Sequence, residues 1–256
     1  MTKNCKVIST CFNDGRSVRL FTTLCGVPKG LFNHSQNFPT KEKVKDLVTL
    51  NIKQELTVPA GVNYDTIIVN NDTSWSQGNK WLDSLNGIQT KNGKLIIEHR
   101  ENYGRAFGGY NFAFEKYRDK YENWIFTEDD VLVNGNNFYL NLLKEYEQYN
   151  DIGLLSIIGI STENFSGVVH EDNIHAHGSI GLFKTNILDK IYKFNGNMLP
   201  HAQKSQDQSY SNHVNLGEIA FSNTVKKSGM KIYDSKRKYY NFAYDFIRNI
   251  NKGDIK

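Results

Sequence analysis

Three consecutive carboxylates, Glu128, Asp129 and Asp130, lie between two short apolar runs at residues 124–127 and 131–133. Like charges this close repel, so a folded protein keeps them together where a divalent cation or hydrogen-bond donors neutralise them. Oxygen ligands at the end of a strand suit Mg²⁺ or Mn²⁺. The run therefore predicts a metal site. The alternative is a solvated acidic turn, since charge runs usually mark exposed faces.

The elements before this run alternate between strands and helices. Apolar, β-prone segments predict strands over residues 6–11, 66–69, 94–97 and 124–127. Thr40 is placed to cap one helix, and a second helix is predicted to follow the third strand. The apolar faces of the two helices are Val44, Leu47, Val48 and Ile52 in the first, and Ala106, Tyr110, Ala113 and Tyr117 in the second.

This order of elements predicts an α/β fold with a mostly parallel sheet flanked by helices, because parallel neighbours need crossover connections. Ligands of such sheets bind beyond the carboxyl ends of the strands. Asn13, Asn70 and the three acids follow three separate strands. They are therefore predicted to line one crevice.

The second half has a weaker pattern. We predict a helix through Phe138, Leu142 and Tyr146, a strand over residues 153–160, and a helix end, glycine cap and strand over residues 226–233. A polar segment with two histidines at residues 175–183 precedes another helix. Residues 16–39 are predicted to form a long loop.

Composition indicates one globular domain. The chain has 256 residues, of which 39% are hydrophobic and 12% aromatic. The net charge of +4 is spread along the sequence, without the basic stripe of a nucleic-acid binder. Cys5, Cys11 and Cys25 lack the spacing of a zinc site or a disulfide framework, so free thiols are expected. No apolar run approaches the roughly 18 residues that span a bilayer. We expect a cytoplasmic protein, with peripheral membrane contact left open.

Three segments, at residues 67–73, 101–111 and 125–131, together resemble the nucleotide-sugar-binding half of GT-A glycosyltransferases, especially those of family 2. The resemblance implies a single domain with a GT-A (Rossmann-like) fold, in which residues 1–135 bind the nucleotide sugar and residues 136–256 the acceptor. The chain departs from the family pattern by Glu128 at the first position of the Asp-x-Asp motif, by Asn70 where Asp is common, and by the insertion at residues 16–39.

By this resemblance, Asp130 would ligate Mn²⁺ or Mg²⁺ on the diphosphate, with Glu128 toward the ribose or the metal and Asp129 between them. Asn70 would meet the nucleobase edge, although a turn asparagine is the alternative. Further candidates for contact with the nucleotide are Cys11, Phe12, Asn13 and Arg105. Phe12 is alternatively a core residue, and Arg105 an exposed surface residue.

An inverting transfer needs a carboxylate that accepts the proton of the acceptor hydroxyl. Glu218 lies 11 residues before Gly229 and is predicted to open a helix, as the family's catalytic acid does. Asp207, in a polar loop, is the competing candidate. His175, His177 and His213 would supply a further metal ligand or bind pyrophosphate, unless they are structural.

The function implied is a metal-dependent glycosyltransferase in polysaccharide biosynthesis. It would move a sugar from a nucleoside-diphosphate sugar to a glycan or lipid-linked acceptor, with inversion. A sugar-nucleotide nucleotidyltransferase is the rival enzyme, but its strand-one loop is usually rich in glycine, unlike residues 11–16. A catalytically silent nucleotide- or glycan-binding protein is the third alternative.

Overall fold

The computed structural model describes residues 3–12, 40–161 and 174–242. The predictions for Asn13, Cys25 and the loop at residues 16–39 lie outside this part. The strands are β1 Asn4–Thr10, β2 Asp65–Asn70, β3 Leu95–His99, β4 Asn123–Glu128, β5 Val131–Val133, β6 Ile152–Ser156, β7 Ile160–Ser161, β8 His175–Ala176, β9 Gly181–Lys184, β10 Lys231–Asp234 and β11 Tyr240–Phe242.

Helices account for most of the connections. They are α1 Lys41–Thr57, α2 Ser76–Asp83, α3 Arg105–Tyr117, α4 Phe138–Tyr146, α5 Thr185–Phe194, α6 Tyr210–His213 and α7 Ala220–Lys227, with a 3-10 turn at His177–Ser179 and a π-helical turn at Val214–Ile219. Within the described ranges, every helix is too short or too polar to span a bilayer.

The central sheet has seven strands in the order β10-β6-β9-β4-β1-β2-β3. The pairs β10–β6, β4–β1, β1–β2 and β2–β3 are parallel, whereas β9 runs antiparallel to both of its neighbours. This confirms the predicted mostly parallel α/β sheet. Two small antiparallel pairs, β5–β11 and β7–β8, lie outside it.

Successive strand residues point to opposite faces of the sheet, and both faces carry apolar residues that helices cover. Val7 of β1 packs in a core cluster with residues of α3, α5 and α7. The next residue, Ile8, packs in a second cluster with residues of α1 and α2, and α4 adds to a third cluster around Ile125 of β4. Two hydrophobic layers therefore hold the sheet in place.

The two helices predicted in the first half are present. In α3, Tyr110 and Ala113 of the predicted face are buried and Ala106 and Tyr117 are half-buried. Thr40 caps α1, its side chain accepting a hydrogen bond from the Lys43 amide at 3.4 Å. The predicted apolar residues of α1 are buried. Helix α2 was not predicted from the pattern, and it supplies the crossover between the parallel strands β2 and β3.

Two predictions for the second half need correction. The strand expected over residues 153–160 ends at Ser156, where the Ser156 hydroxyl donates to the Gly159 carbonyl at 2.8 Å and Gly159 adopts a φ of 137°. The chain passes from that turn into β7. Glu218 does not open a helix, because the helical segment already begins at Tyr210 and Glu218 lies inside its π-helical turn.

A buried ion pair joins the sheet to α1. Lys6 of β1 and Glu55 of α1 are 0% and 1% exposed, and Lys6 Nζ lies 2.8 Å from Glu55 Oε1. The hydroxyls of Tyr64 and Thr66 donate to Glu55 Oε2. The ammonium of Lys6 also lies over the Tyr240 ring of β11, 5.7 Å from its centroid. Each charge therefore has partners inside the core, as buried charges require.

Candidate functional site

The carboxyl ends of four parallel strands meet at one edge of the sheet. Thr10 at the end of β1 pairs with Asn70 at the end of β2, and Asn70 pairs with His99 at the end of β3. On the other side of β1, Ser9 pairs with Glu128 at the end of β4. The predicted convergence of Asn70 and the acidic run is thus present in the register of the strands.

The acidic run is buried rather than solvated. Glu128, Asp129 and Asp130 are 8%, 0% and 3% exposed, so the alternative of a solvated acidic turn is wrong. Thr10 donates to Asp129 Oδ2 at 2.5 Å, and Asn51 Nδ2 donates to the Asp129 carbonyl at 2.7 Å. The middle acid therefore anchors the turn to β1 and α1.

Glu128 and Asp130 flank that anchored residue. The atoms that could ligate a metal ion are carboxylate oxygens at the end of a strand, and both residues are almost fully buried. Oxygen-only donor sets are the ones that Mg²⁺ and Mn²⁺ prefer, with the remaining positions left to phosphate and water. The donor chemistry thus suits such an ion, and its binding by Glu128 and Asp130 stays a prediction.

Asn70 is fully buried and its amide makes internal hydrogen bonds. Its Nδ2 donates to Asn79 Oδ1 at 2.8 Å and lies 3.2 Å from His99 Nδ1. Its Oδ1 accepts from the Asp72 amide at 3.2 Å, as in an Asx turn. Contact with a nucleobase stays a prediction, and it would require one of these partners to be exchanged.

The residues after β1 join the neighbouring loops. Phe12 is 1% exposed, and its ring packs edge-on against Trp75 and Trp81 with centroids 5.4 and 6.2 Å away. Asn102 Nδ2 lies 3.4 Å from Cys11 Sγ, which connects the end of β1 to the segment before α3. Phe12 is thus packed as a core residue, and its stacking on a base stays untested.

A buried polar link at the same edge was missed by the sequence reasoning. Asn71 Nδ2 donates to Ser9 Oγ, and Arg100 donates to Asn71 Oδ1, both at 2.7 Å. Burial lowers the pKa of Arg100, and its guanidinium lies 4.3 Å from the centroid of the Tyr103 ring. The sequence feature that could have revealed this link is a basic residue, Arg100, directly after β3.

The start of α3 binds the loop that carries Asp207. The Gly104 amide donates to Gln208 Oε1 at 2.7 Å, and Arg105 donates to the Gln208 carbonyl at 3.0 Å. Arg105 thus contacts a protein carbonyl. Asp207 is exposed, and hydrogen bonds from the side chain and amide of Ser209 lower its pKa. An exposed carboxylate with a lowered pKa is a weak proton acceptor.

Glu218 lies in a cluster with two of the predicted histidines. It is 4% exposed, and its Oε2 accepts a hydrogen bond from the Gly178 amide at 2.8 Å. Its Oε1 lies 3.3 Å from His175 Nε2 and 3.6 Å from His177 Nδ1. In the described part of the chain, these three side chains form the group of donors close enough to share a metal ion.

His213 is placed differently. It is 7% exposed, and its ring lies 5.0 Å from the Phe107 ring, centroid to centroid. Gly217 also packs on Phe107, since a Cβ at this glycine would lie 2.4 Å from the Phe107 ring. Close contact with α3 therefore fixes the π-helical turn that carries Glu218.

The Glu218 cluster and the acidic run lie at the same edge of neighbouring strands. Strand β9 pairs with β4, with Gly181 opposite Phe126. The turn at His177–Ser179, which holds Glu218 through Gly178, comes immediately before β9. Glu128 lies two residues beyond Phe126 along β4.

Comparison with known proteins identifies the fold. No protein-family model matches the sequence, and no curated protein sequence matches it. Among solved structures, a CMP:2-keto-3-deoxy-manno-octonic acid synthetase complexed with CTP has a TM-score of 0.52 at 13% identity, over 99% of this chain and 100% of that chain. A glucose-1-phosphate thymidylyltransferase from Bacillus anthracis has a TM-score of 0.50 at 10% identity, over 100% and 97%.

The chain shares the α/β fold of these two structures. The structure of TarS residues 1–349 from S. aureus also resembles this chain, with a TM-score of 0.48 at 11% identity. The match covers 94% of this chain and 60% of the TarS chain. The fold assignment depends on the two higher scores. In this α/β fold, the sheet edge collects Asn70, Glu128 and Asp130, and Glu218 approaches from the second half.

Proposed function

We propose that this chain is a metal-dependent, inverting glycosyltransferase that moves a sugar from a nucleoside-diphosphate sugar to a glycan or lipid-linked acceptor. Residues 1–135 would bind the donor and residues 136–256 the acceptor, as one domain. The observation that carries the proposal is the position of Glu218. This buried carboxylate lies in the π-helical turn and accepts a hydrogen bond from Gly178, in the turn before β9, and β9 pairs with the strand that ends in Glu128.

In the proposed reaction, the acceptor hydroxyl attacks the anomeric carbon from the face opposite the diphosphate. Glu218 accepts the hydroxyl proton as the new bond forms, and the bond to the diphosphate oxygen breaks with its electron pair. Glu128 and Asp130 would hold a divalent ion, which would supply charge neutralisation at the departing diphosphate. The hydrogen bond from Gly178 orients the Glu218 carboxylate.

Glu218 is favoured over Asp207 by its surroundings. Asp207 is exposed, and its hydrogen bonds with Ser209 stabilise the ionised form, which makes it a weaker base. Glu218 is nearly excluded from water and projects from a helical segment packed on Phe107 through Gly217. A base must be held within hydrogen-bond reach of the proton it removes, and a packed helix provides better positioning than an exposed loop.

The rival function is nucleotidyl transfer, since the two comparison structures with TM-scores of 0.50 and above are described as a synthetase and a thymidylyltransferase. In the thymidylyltransferase type of reaction, an anionic sugar phosphate attacks a nucleoside triphosphate, and a nucleophile that is already ionised needs no base. A buried carboxylate beside the acidic run therefore supports glycosyl transfer over nucleotidyl transfer to a sugar phosphate. The glycine-poor sequence at residues 11–16 supports it as well.

One experiment separates the functions. The purified protein is incubated with a panel of uridine, guanosine and thymidine diphosphate sugars and with Mn²⁺, and release of the nucleoside diphosphate is measured before and after chelation. A parallel arm supplies nucleoside triphosphates and sugar 1-phosphates and measures pyrophosphate. Metal-dependent diphosphate release supports the proposal, whereas pyrophosphate release alone favours the nucleotidyltransferase. Nucleotide binding without either product favours the silent protein.

A further inference from the structure

The cluster of His175, His177 and Glu218 has donor chemistry different from that of the acidic run. It offers two imidazole nitrogens and one carboxylate oxygen, all within 4.8 Å of one another. The acidic run offers oxygen only. Imidazole nitrogen favours Zn²⁺ and its neighbours in the first transition row, whereas all-oxygen sites favour Mg²⁺ and Mn²⁺. The two clusters are thus suited to different cations.

The distances in the cluster match donors arranged around a cation. Glu218 Oε1 lies 3.3 Å from His175 Nε2 and 3.6 Å from His177 Nδ1. Hydrogen bonds between nitrogen and oxygen are usually about 2.7–3.2 Å long. Ligands at about 2.05 Å around a tetrahedral Zn²⁺ are separated by about 3.3 Å. The two separations from Glu218 are therefore close to those of a metal-bound set, and all three donor atoms lie within 4.8 Å of one another.

The surroundings hold the Glu218 carboxylate in this position. The Gly178 amide, between the two histidines in sequence, binds Glu218 Oε2 at 2.8 Å and turns Oε1 toward both rings. Hydrogen bonds of this kind orient the ligands of protein metal sites. Gly178 adopts a φ of 58°, which glycine tolerates without a steric penalty. The turn therefore positions all three donors.

We propose that His175, His177 and Glu218 bind one divalent transition cation of the Zn²⁺ class, with water completing a tetrahedral site, and that this ion inhibits sugar transfer. Inhibition rests on the proposed function, because a Glu218 carboxylate bound to a cation is a much weaker base toward the acceptor proton. The ion at Glu128 and Asp130 would activate the enzyme, and the ion at this cluster would stop it.

Binding is tested without any substrate. The metal-free protein is titrated with Co²⁺, whose tetrahedral complexes absorb visible light strongly, and Zn²⁺ is then added to displace it. We expect one Co²⁺ per chain in the wild type and in the matched control Glu122→Gln, which changes an exposed carboxylate at the opposite end of β4. His177→Ala and Glu218→Gln should each weaken binding by at least about tenfold.

His177→Ala is the primary variant because the His177 side chain is 22% exposed, whereas His175 is buried. Melting temperatures without metal show whether each variant is folded. Absence of the tetrahedral Co²⁺ spectrum in the folded wild type would overturn the proposal. Co²⁺ affinity unchanged in both folded variants would also overturn it, because the ion would then lie elsewhere.

The inhibitory effect is tested in the Mn²⁺-dependent assay by adding Zn²⁺, with each variant compared with its own uninhibited rate. Zn²⁺ should inhibit the wild type, and His177→Ala should need at least about tenfold more Zn²⁺ for the same inhibition. Equal inhibition of both would mean that Zn²⁺ acts at the acidic run, which refutes the inhibitory role. A Co²⁺ site in a protein without transferase activity would refute the proposed function and leave the metal site standing.

Discussion

Replacing Glu218 with glutamine tests the proposed base most directly. Gln keeps an oxygen that can accept the Gly178 hydrogen bond, now 2.8 Å long, but it has almost no basicity. Loss of a general base typically costs about 10²–10⁴-fold in rate, equivalent to roughly 2.7–5.4 kcal/mol of barrier. Glu218 is 4% exposed, so solvent has little access to replace it as the proton acceptor. We therefore expect a loss in the upper half of that range.

The assay is steady-state release of nucleoside diphosphate in Mn²⁺, with Zn²⁺ removed beforehand. Donor affinity, measured separately by calorimetry, should stay within about threefold of wild type, because the base contacts the acceptor rather than the donor. Asp207→Asn is the competing variant, and it can keep the hydrogen bond from the Ser209 amide. We expect it to be mild. Glu122→Gln, at an exposed position, controls for the loss of a carboxylate.

Three results would refute this reasoning. Near wild-type turnover of Glu218→Gln would remove Glu218 from the reaction. A large loss in Asp207→Asn with an active Glu218→Gln would transfer the role of base to Asp207. A product that retains the anomeric configuration of the donor would exclude the single displacement itself. A fall in melting temperature of Glu218→Gln would instead show that the residue stabilises the fold.

Asp130→Ala should lower turnover by about 100-fold or more and abolish metal-dependent nucleotide binding without unfolding the protein. Asp119→Asn, a control at an exposed position, should be active. Near wild-type turnover of Asp130→Ala in Mn²⁺ would contradict the metal assignment. A nucleoside diphosphate at about 100 times its dissociation constant, added with Mn²⁺, should raise the melting temperature by about 5–10 °C. No shift with uridine, guanosine or thymidine diphosphate would contradict the nucleotide site and favour a silent protein that binds glycan only. Lys6→Met should cost about 3–5 kcal/mol in denaturant unfolding because it leaves Glu55 charged inside the core, and Lys6→Met with Glu55→Leu should recover most of that loss. A cost of the single change below about 1 kcal/mol would show that Glu55 does not need its partner.

Local patterns in the sequence were sufficient for the first half of the sheet. Apolar runs and helical spacing identified β1, β2, β3, β4, α1 and α3, because each of these elements buries one continuous apolar face or run. The crevice followed, since parallel strands bring their carboxyl ends to one edge. Helix α2 escaped prediction because its eight residues bury only Gly78 and Leu82.

The sequence alone determined that the three acids end a buried strand and that Asn70 shares their edge. It placed Glu218 at the opening of a helix, whereas the structure places it inside a helical segment that begins at Tyr210. The sequence could not decide whether the acids were solvated, because burial depends on contacts such as those from Thr10 and Asn51 to Asp129.

The tertiary structure alone decided the pairing of Glu218 with His175 and His177. These residues are about 40 positions apart, and no local periodicity encodes that distance. The antiparallel strand β9 and the Gly178 hydrogen bond bring them together, and both depend on packing across the whole sheet.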